Sequence, residues 1–265
     1  MIELAPTFRP RTIRHVFMDW DGTTSLTRGG WTDVMMELFA ESLPLRAGED
    51  AAAIRAFSRD ELMKLNGRPS IHQMYRLAEL IVERGGVALP AAEYQRDYQA
   101  RIGCVVNARL AKIRSGEALP DSLLVPGVRE FFTALNERKI AVSLVSGTPF
   151  PELIEEVRLL GLEHHFAAII GPTGTADRTF SKRTVLDALL HGHALEGSQM
   201  LAFGDGPIEL IETSAVGGLA VAVATDESQP TQIDAWKRDA LLAAGAHAVI
   251  ANYTAKAELL AALFP

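Results

Sequence analysis

Asp19-Trp20-Asp21-Gly22-Thr23 closes an apolar run, Ile13 to Met18, that reads as a short buried strand interrupted by Arg14 and His15. Carboxylates at i and i+2 of an extended segment share a face, and Gly22 permits a turn that aims both at one pocket. A metal or a phosphate ester would exploit such a pair. A turn with a helix cap is the plainer alternative for the same residues.

Working outward, residues from about Trp31 to Ser115 carry almost no β-branched runs and read as a helical insert. Its expected helices are Trp31 to Ser42, Asp50 to Leu65, Ser70 to Glu83 and Ala91 to Arg114, separated by Pro and Gly punctuation. From Pro126 the rhythm changes. Helical segments at Val128 to Arg138, Pro151 to Leu160, Lys182 to Leu190 and Pro207 to Val216 alternate with strands at Ile140 to Val145, Phe166 to Ile170, Gln199 to Phe203, Leu219 to Val223 and His247 to Ile250. Continuous apolar strands alternating with helices predict an α/β, Rossmann-like parallel sheet covered on both faces, with ligands bound beyond the carboxyl ends of the strands.

The residues just after the strands are therefore the ones to weigh. Asp19 and Asp21 follow the first, Ser146-Gly147-Thr148 the second, and Gly204-Asp205-Gly206 the run Met200 to Phe203. Lys182, at a helix start, adds an ammonium. Carboxylates, a hydroxyl and one ammonium in one pocket suit Mg²⁺ plus phosphate.

Composition narrows the classes. With 265 residues and 48% hydrophobic content a sizeable core is expected, and a net charge of -7 argues against a polyanion-binding surface, so no nucleic-acid partner is expected. The single cysteine, Cys104, excludes an internal disulfide and suits a cytoplasmic protein. No apolar stretch reaches the roughly 20 residues of a membrane span, and Met1 to Pro10 lacks the apolar core of a leader. Neither His164-His165 nor His191-x-His193 has the spacing of a zinc site.

In order and spacing these residues resemble the four motifs of the haloacid dehalogenase superfamily of phosphohydrolases: Asp19 to Thr23, Ser146, Lys182, and Gly204-Asp205-Gly206-Pro207-Ile208-Glu209. The insert resembles that family's C1 helical cap. The resemblance implies a core of residues 1–27 and 122–265 and a cap of residues 28–121. It also implies Asp19 as nucleophile, Asp21 as general acid and base, and a phosphate cradle of Ser146, the Gly147 amide and Lys182, with Arg183 the neighbouring alternative to the lysine. Mg²⁺ would be held by Asp19, the Trp20 carbonyl, Asp205 and Glu209, the last standing where the family often has Asp. Asp21 is typically absent from the dehalogenating branch, so its presence favours phosphate chemistry.

The loop Ser25 to Gly30 is expected to act as a hinge, with Arg28, and Asn66 and Arg68 in a turn of the insert, as candidate substrate contacts. Thr23 is expected to steady the loop through its hydroxyl. The resemblance thus implies a Mg²⁺-dependent phosphatase acting on a small phosphorylated metabolite, a sugar or polyol phosphate first, through an aspartyl-phosphate. The rivals are phosphoglucomutase-like transfer, phosphonate cleavage using Lys64 or Lys112, and a catalytically silent binding or scaffold protein.

Overall fold

The computed structural model describes residues 2–65, 70–174 and 180–264. The chain divides into two compact units, one of Met1–Gly29 with Arg109–Pro265 and one of Gly30–Ala108. In chain order the elements are β1 (Ile2–Leu4), β2 (His15–Met18), α1 (Trp31–Ser42), α2 (Ala51–Met63), α3 (Ser70–Glu83), α4 (Ala91–Arg114), α5 (Val128–Glu137), β3 (Ala141–Val145), α6 (Phe150–Leu159), β4 (Ala168–Ile170), α7 (Lys182–Gly192), β5 (Met200–Gly204), α8 (Pro207–Ala215), β6 (Leu219–Val223), α9 (Ala235–Ala243), β7 (Ala248–Ile250) and α10 (Lys256–Leu263). The second junction between units falls within α4, whose 24 residues are one uninterrupted helix.

The larger unit is built on a seven-stranded sheet in the order β1-β7-β6-β5-β2-β3-β4. Every pairing is parallel except β1 with β7, which is antiparallel. β1 is three residues long at the sheet's edge and has no alternation to betray it. Strands β5 and β6 are buried at every residue because helices cover both faces. Alternate side chains then go to opposite layers. Val16, Met18, Leu201 and Phe203 pack with Phe131 and Phe132 of α5, whereas Phe17, Met200 and Ala202 pack with Leu186 and Leu189 of α7. Helix α5 suits its place because Val128, Phe131, Phe132 and Leu135 make one apolar stripe at i, i+3, i+4 and i+7.

Register positions the chemistry. Met18 is level with Leu144 of β3 and Phe203 of β5, so Asp19, Val145-Ser146 and Gly204-Asp205 emerge side by side at the carboxyl edge. The smaller unit consists of α1, α2, α3 and most of α4, with Met35, Phe39, Leu62, Met74 and Leu77 among its buried side chains. No helix of the described residues is long and apolar enough to cross a membrane.

At the opposite edge of the sheet, His15 is buried with its Nε2 2.8 Å from Ser143 Oγ. Burial, reinforced by neighbouring His193, lowers its pKa to about 4, and burial likewise lowers His165 to about 4. A group whose folded pKa lies below its unfolded value of about 6.5 favours the fold while neutral, so this stability is full above pH 6.5 and is lost as pH falls toward 4. For His15 this amounts to on the order of 3 kcal/mol across that window. Urea unfolding at pH 7 and pH 4.5 should therefore show a steeper loss in the native chain than in His15→Gln; parallel losses would exclude His15 as a source.

Candidate active site

The loop after β2 is wound around its own main chain. The Trp20 carbonyl accepts from the amides of Thr24 and Ser25, each at 2.8 Å, and the Thr24 hydroxyl donates to the Asp19 carbonyl at 2.7 Å. Both lone pairs of the Trp20 carbonyl are thus taken, which removes it as a metal ligand. The next carbonyl along, that of Asp21, accepts no hydrogen bond among the described residues. Thr24, rather than Thr23, steadies the loop; the Thr23 hydroxyl is buried with no partner among the described residues. The Trp20 ring is wholly buried in the core and donates its indole N–H to Glu156 at 3.0 Å.

Gly22 is required by two independent facts. Its φ is +70°, and a Cβ built there would stand 2.1 Å from Asp205 Oδ2. Absence of a side chain lets the β5 carboxylate come against the β2 loop. Gly204 does the same for the first turn of α8, where an added Cβ would meet Glu209 Cβ at 2.9 Å.

Among the described residues, two lysines at this edge each bridge two carboxylates. Lys182, on the first turn of α7, donates to Asp19 Oδ1 at 2.7 Å and also to Glu209 Oε1. Lys237 of α9 lies 3.2 Å from Asp205 Oδ2 and 2.7 Å from Glu227 Oε1. Burial is the main reason that Asp19 titrates near 7 and Asp205 near 6, far above an exposed aspartate, despite the lysines. The flanking carboxylates, Glu209 for Asp19, and Asp19 with Glu227 for Asp205, push the same way. Both lysines are held charged, because their carboxylate neighbours outweigh the burial penalty.

Asp21 is fixed at both oxygens. Thr148 donates to Oδ2 at 2.8 Å and Arg28 Nη1 to Oδ1 at 3.2 Å. Arg28 also pairs with Glu156 and, more loosely, Glu152 on α6. The hydroxyl of Ser146 is buried, accepts from the Thr148 amide at 3.0 Å and donates to no described residue. Beside it Gly147 is exposed, with open space on its Cβ side. Arg183 pairs with Asp187 and Glu212 instead of the central carboxylates. Asn66 and Arg68 lie outside the described residues.

A divalent cation fits this chemistry. Among the described residues the available donors are all oxygens, Glu209 Oε2 is buried without a partner, and each of two lysines bridges two carboxylates. Among the described residues no three His, Cys, Asp or Glu side chains close into a ready-made cage.

Sequence reasoning passed over Lys237, Glu227 and Glu156, and gave Thr148 no role of its own. Thr148 carried a signal, two residues beyond Ser146 on a strand-end loop. Lys237 and Glu156 carried none, because each sits in a helix among ordinary charged residues and is placed only by the packing of that helix.

A parallel sheet with an acid pair after one strand, a serine after its neighbour and a lysine-bridged acid set opposite defines a hydrolase architecture of the haloacid dehalogenase type. The family model for haloacid dehalogenase-like hydrolases matches residues 13–212, and the chain belongs to that family. No curated protein matches it significantly. Solved structures share the fold at low identity. A conserved haloacid dehalogenase-like protein of unknown function from Agrobacterium tumefaciens is 16% identical, with 94% of this chain and 98% of that one covered at a TM-score of 0.64. A haloacid dehalogenase family hydrolase from Deinococcus radiodurans, with bound phosphate and sodium, is 17% identical over 96% and 99% at a TM-score of 0.60. CbbY from Rhodobacter sphaeroides, in complex with xylulose-(1,5)bisphosphate, is 18% identical over 95% and 99% at a TM-score of 0.59.

Proposed function

We propose that this hydrolase is a Mg²⁺-dependent phosphatase of a small phosphorylated metabolite, a sugar or polyol phosphate first, working through an aspartyl-phosphate on Asp19. The observation that carries the reading is the bridge of Lys182 from Asp19 to Glu209 beside the paired Asp21, with the Ser146 hydroxyl and Gly147 amide on the next strand end. The phosphate in the Deinococcus structure and the sugar bisphosphate in the Rhodobacter one support the substrate class.

In this reading Asp19 attacks phosphorus, while Ser146, the Gly147 amide and Lys182 hold the phosphoryl oxygens. Asp21 gives a proton to the leaving oxygen and takes one from the water that later opens the acyl phosphate. Asp19, Asp205, Glu209 and the Asp21 carbonyl would hold Mg²⁺, with Glu209 acting directly or through water. The cation supplies charge neutralisation between the anionic nucleophile and the phosphate. Arg28, already committed to Asp21 and α6, is assigned to the loop rather than to substrate. Phosphonate cleavage through a Schiff base is disfavoured because Lys64 and Lys112 pair with Glu61 and Glu117.

The test is hydrolysis of p-nitrophenyl phosphate and of a panel of sugar and polyol phosphates. Turnover is expected with Mg²⁺, lost in EDTA and recovered on adding Mg²⁺ back. Absence of metal-dependent phosphate release from every member would sink the reading and favour a silent binding protein.

A further inference from the structure

Glu156 sits in the middle of α6, buried, at a position that packing alone would fill with an apolar residue. A buried carboxylate is costly unless its oxygens are fully served. Here they are. Oε2 accepts from the Trp20 indole at 3.0 Å, the Thr27 hydroxyl at 3.0 Å and Arg28 Nη1 at 2.9 Å, and Oε1 lies 2.8 Å from Arg28 Nη2. All the donors come from the loop that carries the acid pair, and all reach it across more than 120 residues of sequence.

The same Arg28 Nη1 touches Asp21 Oδ1, so one nitrogen joins the buried glutamate to the carboxylate assigned to proton transfer. With Thr148 on the other oxygen, the rotamer of Asp21 is set from both sides. We propose that Glu156 is a positioning residue for Asp21, acting through Arg28 to aim its carboxyl at the leaving oxygen. The inference rests on the phosphatase reading above. In the step concerned the Asp19 oxygen bonds to phosphorus as the ester P–O bond breaks. The departing oxygen takes the proton of the Asp21 carboxyl, and the resulting carboxylate regains one from the attacking water.

A group that aims a proton donor matters in proportion to how badly the leaving group needs the proton. A residue that merely holds the fold lowers the rate with every substrate alike. The discriminating measurement is kcat/KM for phenyl phosphate, whose phenoxide leaves poorly without a proton, against p-nitrophenyl phosphate, whose phenolate leaves readily. Glu156→Gln turns an amide N–H₂ toward the loop donors and breaks the fork. It is expected to cut kcat/KM for phenyl phosphate about thirtyfold and that for p-nitrophenyl phosphate less than about threefold. Arg28→Lys keeps the charge and the Trp20–Glu156 bond but loses the planar fork, and the same selective loss is expected. It decides the matter if Glu156→Gln does not fold, as judged by thermal melting. Equal losses on both substrates, or no loss, in the folded variants would overturn the positioning role while leaving the phosphatase reading intact. A native chain that releases no phosphate with Mg²⁺ from these two esters or from any sugar or polyol phosphate of the panel would overturn that reading, and this inference with it.

Discussion

Replacing Asp19 with asparagine is expected to lower phosphatase turnover by a factor on the order of 10⁴ or more while leaving the chain folded. An amide of the same shape cannot attack phosphorus, so both half-reactions stop at their shared atom. The fold should persist because the amide fills the same buried volume and Lys182 retains Glu209 as a partner. Circular dichroism and thermal melting of Asp19→Asn should match the native chain to within a few degrees. Acid-quenched samples should show a phosphorylated protein mass only for the native chain incubated with substrate and Mg²⁺. Retention of more than about one hundredth of native turnover would remove Asp19 as nucleophile and return the aspartyl-phosphate to an open question.

Much of this site lay in short stretches that any reader of the sequence meets first. Asp19 and Asp21 are two residues apart, and Ser146, Lys182 and Asp205 each stand at the edge of an element whose apolar pattern is strong. The helices Trp31–Ser42, Ser70–Glu83 and Ala91–Arg114 have their sequence-read ends because Gly, Pro and cap residues flank them. Strand β1 and helices α9 and α10 were not legible. The first is too short for a period, and α10 is almost uniformly apolar, with no polar face to mark its turn. Charge pairing was the other illegible layer. Nothing local tells Lys237 that it will reach Asp205, 32 residues away, or Glu156 that it will receive Arg28; both contacts are made only when helices dock on the sheet. The Trp20 carbonyl shows the same limit from the other side. A motif names a residue, but the hydrogen bonds of the loop decide which of its atoms remain free.

Lys182→Met should produce the largest loss of stability of any single change at this edge. The lysine is the shared counter-ion of Asp19 and Glu209, and those side chains are almost entirely shielded from water. Methionine keeps the length and removes the charge, leaving two buried carboxylates facing each other. Breaking a buried pair in this way costs about 3 to 5 kcal/mol. For a chain of this size that is a fall in Tm on the order of 10 °C. Mg²⁺ offers the carboxylates a replacement cation, so millimolar MgCl₂ should raise the Tm of Lys182→Met more than it raises that of the native chain. Turnover should not recover with it. Lys182 is also assigned to the phosphoryl oxygens, where loss of one donor costs about 3 to 4 kcal/mol in the transition state, or two to three orders of magnitude in kcat. Restored stability without restored rate would separate the two duties of the lysine. A melting temperature within about 2 °C of the native chain in EDTA would instead show that the fold does not depend on Lys182 as the counter-ion of Asp19 and Glu209.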